Sequence, residues 1–271
     1  SAELHGQLTG EGLSIAGQWF DRDVDVEGSS DFWFSVASGI PTLTLQGQVE
    51  ALSVRAGESV NLDQVVFQVE AVGPLDTADV WFSGGLLSIQ DEAFQLPRMH
   101  LSRVDTGWRL LTTEWDAAAA VAVTTESGLL PAEVSDVLSS LAPTGTVESL
   151  MLAVASLEDP LASWESAAVV SDATTKPFRK VPGLAGIDAS ITASEDGARA
   201  WVVTNDFELQ LPNVYEAPIE LESVTGQLAG RWQRGALFLE QGLFSASASD
   251  HDALVQFEID IPLSKPVLTP L

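Results

Sequence analysis

Residues 181–244 set the pattern of the chain. Apolar and polar positions alternate there, and each alternation is cut by Gly, Pro, Asn or Asp. Within it, residues 200–211 put Trp201, Val203, Asn205, Phe207, Leu209 and Leu211 on one parity. Ala200, Val202, Thr204, Asp206, Glu208 and Gln210 fall on the other. A period of two sustained this long predicts a strand with one apolar and one wet face. Similar alternations at 185–193, 219–228 and 236–246 predict its neighbours, and connections this short join antiparallel strands.

The rest of the chain extends the same pattern. Residues 4–20 fit two short strands with a turn near Gly10 and Gly12. Alternation at 42–49 and 64–72 predicts two more, and 80–89 carries Trp81 and Phe82 ahead of a turn at Gly84 and Gly85. Residues 99–104, 108–115 and 119–125 complete a first meander, with a hairpin turn at 105–107. After it come strands at 145–157, 163–171 and 254–261, the last with Val255, Phe257, Ile259 and Ile261 on one face. The exception is 131–141, where Val134, Val137, Leu138 and Leu141 recur at helical spacing. Pro131 suits a first helical turn, and Pro143 with Gly145 suits a stop.

The fold class expected is mainly β: a long antiparallel meander of roughly fifteen strands with one short helix. It is curved into an elongated groove or, alternatively, closed as a β-sandwich. The organisation expected is an N-terminal meander at 1–128, a helical insert at 129–145 and a C-terminal meander at 146–271, read as one continuous sheet. A loose repeat of Gly-Gln steps, at Gly6–Gln7, Gly47–Gln48 and Gly226–Gln227, fits such a growing sheet. No leader follows Ser1, and the chain reads as an internal piece of a longer protein.

Composition narrows the function. Twelve Lys and Arg stand against 39 Asp and Glu, a net charge of −27. Nucleic-acid phosphates and anionic lipid surfaces are repelled by such a chain. Cysteine is absent, which removes disulfides, Cys-ligated metals and thiol catalysis. Hydrophobic residues make up 45% and mean hydropathy is +0.17, yet charges interrupt every apolar stretch before it reaches membrane-helix length.

No motif for chemistry emerges. Asp21, Asp23, Asp25 and Glu27 resemble a calcium loop in composition, but Val26 and Phe32 stand where such a loop needs Gly and Glu. Those acids read as one face of a strand. His5, His100 and His251 make no metal-ligand spacing. A nucleophile elbow and a phosphate loop are both missing, so no catalytic residue, metal or cofactor is expected. Trp81, Trp108, Trp115, Trp201 and Trp232 sit inside alternating runs, where core or sheet-face packing is expected. A sugar platform is the alternative.

What remains is the apolar strand face. It is either the inside of a sandwich or a trough for acyl chains. About 0.8 kcal/mol per methylene opposes moving a lipid through water, and an apolar trough removes most of that barrier. The positions expected to face acyl chains or core are Trp201, Val203, Phe207, Leu209, Leu237, Leu239, Val255 and Phe257.

Three blocks carry a family resemblance: LLPAEVSDVLSSLAPTGTVESL at 129–150, VPGLAGIDASITASEDGARAWV at 181–202, and LPNVYEAPIELESVTGQLAGRWQRGALFLE at 211–240. They resemble the helix-plus-strand signature and two strand motifs of the YhdP branch of the AsmA-like proteins. Ala189 stands at an expected small or Gly position, and Tyr215 replaces a usual Phe. Residues 1–125 fit in pattern only. The resemblance implies a periplasmic β-groove in an inner-membrane-anchored envelope protein of Gram-negative bacteria. Its anchor would lie outside this piece. The groove would hold phospholipid acyl chains on their way to the outer membrane, without catalysis. A carbohydrate-binding or carbohydrate-active sandwich and a ligand-free scaffold are the alternatives.

Overall fold

A computed structural model of the chain describes residues 2–19, 22–56, 58–62, 64–74, 77–89, 92–104, 107–126, 132–156, 163–178, 181–212, 214–233, 236–249 and 251–262. Side chains are described for 31–47, 66–74, 77–87, 94–104, 107–125, 135–156, 163–178, 181–212, 214–231, 238, 242–249 and 251–256.

Among the described residues the order begins with β1 (Ala2–Trp19), β2 (Arg22–Ala37), β3 (Ile40–Ala56), β4 (Glu58–Leu62), β5 (Gln64–Val72), β6 (Asp79–Ile89), β7 (Glu92–Leu96) and β8 (Met99–Val104). It continues with β9 (Gly107–Thr112), β10 (Trp115–Asp116), α1 (Ala117–Glu126) and α2 (Ala132–Leu141). It ends with β11 (Thr144–Val154), β12 (Trp164–Thr175), β13 (Gly183–Ser194), β14 (Gly197–Gln210), β15 (Ile219–Gln233), β16 (Ala236–Ser247) and β17 (Asp252–Pro262). Packing divides the chain into two units. The first is Ser1–Asp105, Arg109–Trp115 and Ala119–Ser135; the second is Thr106–Trp108, Asp116–Ala118 and Asp136–Leu271. The expected class holds: the protein is mainly β, and every strand pairing described is antiparallel.

In the first unit, β2, β3, β5, β6 and β8 pair in turn, and the register lines up whole rows of side chains. Phe32, Leu45, Val69, Phe82 and Met99 form one row; Phe34, Leu43, Ala71, Val80 and Leu101 form the next. Two expected turns prove to be strand irregularities. β1 runs through Gly10–Gly12 with a register shift between Gly10 and Leu13. β6 runs through Gly84, which has φ +99°, and Gly85 presses against the Val66 carbonyl, where a Cβ would clash. A glycine bulge bends a strand without ending it. Asp23, Asp25 and Glu27 lie within strand β2, which agrees with the strand-face reading; Asp21 lies outside the described residues.

The expected strand at 119–125 is a helix instead. Ala117–Ala120 do not alternate, and alanine has the highest helix propensity. Thr124 and Thr125 satisfy their hydroxyls on the carbonyls of Ala120 and Val121, both 2.7 Å away. α1 packs on the β6–β7 end of the first unit's apolar face. Phe94 and Val123 are buried there, with Leu87, Leu96, Trp115, Ala119 and Ala120 around them. α2 appears where helical spacing predicts it; Pro131 lies outside the described residues. Its last turn closes with Ala142 in the left-handed region, φ 41°, donating to the Leu138 carbonyl at 2.8 Å.

In the second unit β11 to β17 pair in strict succession. Two matching irregularities recur. Left-handed Gly145 on β11 faces left-handed Asp172 on β12, and left-handed Gly186 on β13 faces left-handed Asp206 on β14. A Cβ on Gly145 would lie 2.6 Å from the Asp172 carbonyl, and one on Gly186 2.7 Å from that of Asp206. Only glycine fits there, while Asp tolerates the left-handed region better than most residues. Thr204, 2% exposed, donates its hydroxyl to the Gly186 carbonyl at the second site.

The alternative of a closed sandwich is not what forms. Among the described residues the buried apolar side chains are Ala78, Phe94, Val123, Val147, Ala189, Phe207, Val224 and Ala246. A sealed sandwich buries the inner face of nearly every strand. Here Leu184, Ile187, Val202, Leu209, Leu221 and Phe244 stay only partly buried around Phe207, Val224 and Ala246.

Two predictions follow from this geometry. Gly186→Ala and Gly145→Ala should each lower stability by about 1–3 kcal/mol, because each forces an L-residue into a left-handed site against a carbonyl; urea midpoints measure this, and unchanged midpoints contradict it. At the β13–β14 turn, the Glu195 carboxylate has its pKa lowered by backbone N–H groups, its own and that of Trp164, and by the Ser163 hydroxyl. This clasp is complete above the ordinary glutamate range and is lost as pH falls through the lowered value. The Trp164 amide resonance should therefore titrate below that range, and a midpoint within or above it contradicts the clasp.

Candidate functional site

The register of the second unit sorts its side chains onto two faces, since directly paired residues share a side. One face carries Leu150, Ala168, Ile191, Ala200, Leu228 and Gly242 in a row across β11 to β16. The next row is Val147, Val170, Ala189, Val202, Gly226 and Phe244, continued on β17 by Val255. Thr204, Val224 and Ala246 follow, and then Phe207 beside Leu221 and Leu209 beside Ile219. None of these positions is charged. Six strands at about 4.8 Å spacing make this face about 24 Å wide. Gly226 lets the Phe244 ring lie over the sheet, since a Cβ there would sit 2.7 Å from the ring's Cγ. The first unit repeats the arrangement with its Phe32 and Phe34 rows, also free of charge.

The expected site residues separate across these faces. Phe207, 9% exposed, and Leu209 lie on the apolar face. Val255 pairs with Phe244 on that side and is 45% exposed. Trp201 and Val203 are 46% and 66% exposed on the opposite face. The expectation that Trp201, Val203, Phe207 and Leu209 share one face is thus corrected. Left-handed Asp206 resets the alternation, so the apolar parity passes from Val202 to Phe207. The side chains of Leu237, Leu239 and Phe257 lie outside the described residues, although their backbones pair with Ile261, Ile259 and Gly242. Sequence reasoning missed Val202, Leu221, Val224 and Phe244. The Asn205–Asp206 dipeptide inside an alternating run was the available signal, because both residues tolerate left-handed backbone.

Core packing also fails for two of these tryptophans: Trp81 is 37% exposed and Trp201 46%. Trp108 and Trp115 are half-buried, and the Trp232 side chain lies outside the described residues. Trp81 stacks on His100 with ring centroids 4.7 Å apart, and His100 Nε2 lies 3.1 Å from Asp79 Oδ1. Among the described residues no group of three or more His, Cys, Asp or Glu is placed to hold a metal ion. Among them also, no helix is long and apolar enough to cross a membrane.

The surface is therefore suited to holding extended apolar matter. No curated protein and no solved structure matches the chain. The family model for the YhdP protein does match, over residues 6–251, and so reaches the N-terminal part that fitted in pattern only. With that match spanning most of its length, the chain belongs to the YhdP family.

Proposed function

We propose that the chain is a non-enzymatic segment of a periplasmic phospholipid-transport protein, whose apolar sheet faces hold acyl chains between the inner and outer membranes. The carrying observation is that a chain with net charge −27 keeps whole rows of strand residues free of charge without sealing them under a second sheet. Membership of a family of AsmA-like lipid-transport proteins supports the reading. Each methylene moved from water onto such a surface gains about 0.8 kcal/mol, so two acyl chains supply ample driving force. Among the described residues the named rows offer no charged partner to a head group, which would stay in water beside the acidic exterior. In this reading Val202, Phe207, Leu209, Leu221 and Phe244 contact acyl chains, and the membrane anchor belongs to another part of the protein.

Protein purified without detergent should carry phospholipid detectable by native mass spectrometry; protein that is lipid-free when isolated and takes up none from vesicles contradicts the proposal. Val202→Asp should reduce bound lipid several-fold, since it places a charge among apolar neighbours. Val203→Asp, one residue along on the opposite face, should leave it unchanged. Equal effects of the two substitutions on lipid content would sink the assignment of faces.

A further inference from the structure

The opposite face of the second unit has its own pattern. One row reads Val169, Ser190, Trp201, Gln227, Leu243 and Gln256 from β12 to β17; the next reads Val203, Thr225, Ser245 and Leu254 from β14 to β17. All ten side chains are exposed and none is charged. At ordinary surface composition roughly three in ten would be charged. The carboxylates begin beyond the patch, at Asp172, Asp188, Asp206, Glu222 and Asp252, all exposed. At one end the Trp201 row adjoins an open pocket lined by Thr192, Arg199, Arg231, Glu165 and Asp196.

Three occupants compete for this surface. An acyl chain would bury Ser190, Gln227, Thr225 and Ser245 without hydrogen-bond partners, which is costly and is avoided on the other face. A second copy would bring two acidic rims together. The patch is also small, about five strand spacings by two rows or roughly 200 Å², where a stable interface needs about 800 Å² per partner. A neutral sugar chain meets both requirements. Its C–H face covers the Trp201 ring, and its hydroxyls bond the amide and hydroxyl side chains that alternate with the apolar ones.

We propose that the Trp201 face is a binding platform for an uncharged oligosaccharide. Trp201 stacks on a pyranose ring, Ser190, Gln227 and Thr225 bond its hydroxyls, and the Arg199 pocket receives the end of the chain. This platform lies on the side away from the proposed acyl-chain surface and does not depend on it.

The test is titration of the full chain with cellohexaose and with maltohexaose, followed by NMR. Expected are saturable shifts centred on Ser190, Trp201, Thr225 and Gln227 with at least one probe. Trp201→Ala should weaken binding roughly tenfold or more. Trp201→Phe should weaken it less, and Trp81→Ala, at an exposed strand tryptophan of the first unit, should not weaken it. Circular dichroism checks that the variants fold, which the exposure of Trp201 favours. Absence of saturable binding to both probes at millimolar concentration overturns the proposal. So does binding that survives Trp201→Ala, or perturbation of these residues by neutral phospholipid vesicles and not by sugar. Lipid content unchanged in Trp201→Ala separates failure here from failure of the acyl-chain reading.

Discussion

An antiparallel sheet that is not sealed by a second sheet must keep its apolar side chains in phase over every strand, because a slip of one residue turns a strand inside out. The second unit meets this constraint with two left-handed pairs, Gly145 with Asp172 and Gly186 with Asp206. Each inserts a local irregularity and resets the alternation on its strand. Val202 and Phe207 are five apart and would fall on opposite faces of a regular strand, yet both join one apolar cluster. The bulges also bend and twist the strands that carry them. Phase and curvature are thus set by the same few backbone positions.

Much of this was legible in the sequence. Period-two alternation marks β5, β13, β15, β16 and β17, because burial on a pleated strand has no other period. Helical spacing marks α2. The errors share one cause: a glycine or an Asn-Asp step read locally is either a turn, a bulge or nothing. Gly10–Gly12 and Gly84–Gly85 read as turns but lie inside β1 and β6. Asn205–Asp206 read as ordinary alternation but reverses the faces. Register is a property of two strands and is not written in either alone. α1 was missed for a different reason: AAAAVAV has no strong period, and propensity decides its state once Val123 has Phe94 to pack against.

The candidate surface was half visible. Parity puts Phe207, Leu209, Trp201 and Val203 in one apolar set, whereas Trp201 and Val203 stand on the other side. The result is a two-faced sheet. On one face the named rows carry no charged side chain, and the Thr204 hydroxyl among them is bonded to the Gly186 carbonyl, which suits chains that cannot hydrogen-bond. On the other, apolar and hydrogen-bonding side chains are interleaved within single rows, which suits a ligand with both characters. The acidity of the chain sharpens the contrast, since the rows named on both faces carry no carboxylate in a protein with 39 of them.

Acyl chains are proposed to lie on one continuous apolar face that is carried through the reversal at Asp206. A nitroxide placed singly at positions 200 to 210 in lipid-loaded protein tests it, with collision rates read against oxygen and against a water-soluble nickel complex. Labels at 202, 207 and 209 should favour oxygen, labels at 201 and 203 should favour nickel, and the alternation should change phase at 206. A profile that keeps one phase through the strand, or one that favours water at 202, 207 and 209 while lipid is bound, would rule out acyl-chain contact on this face.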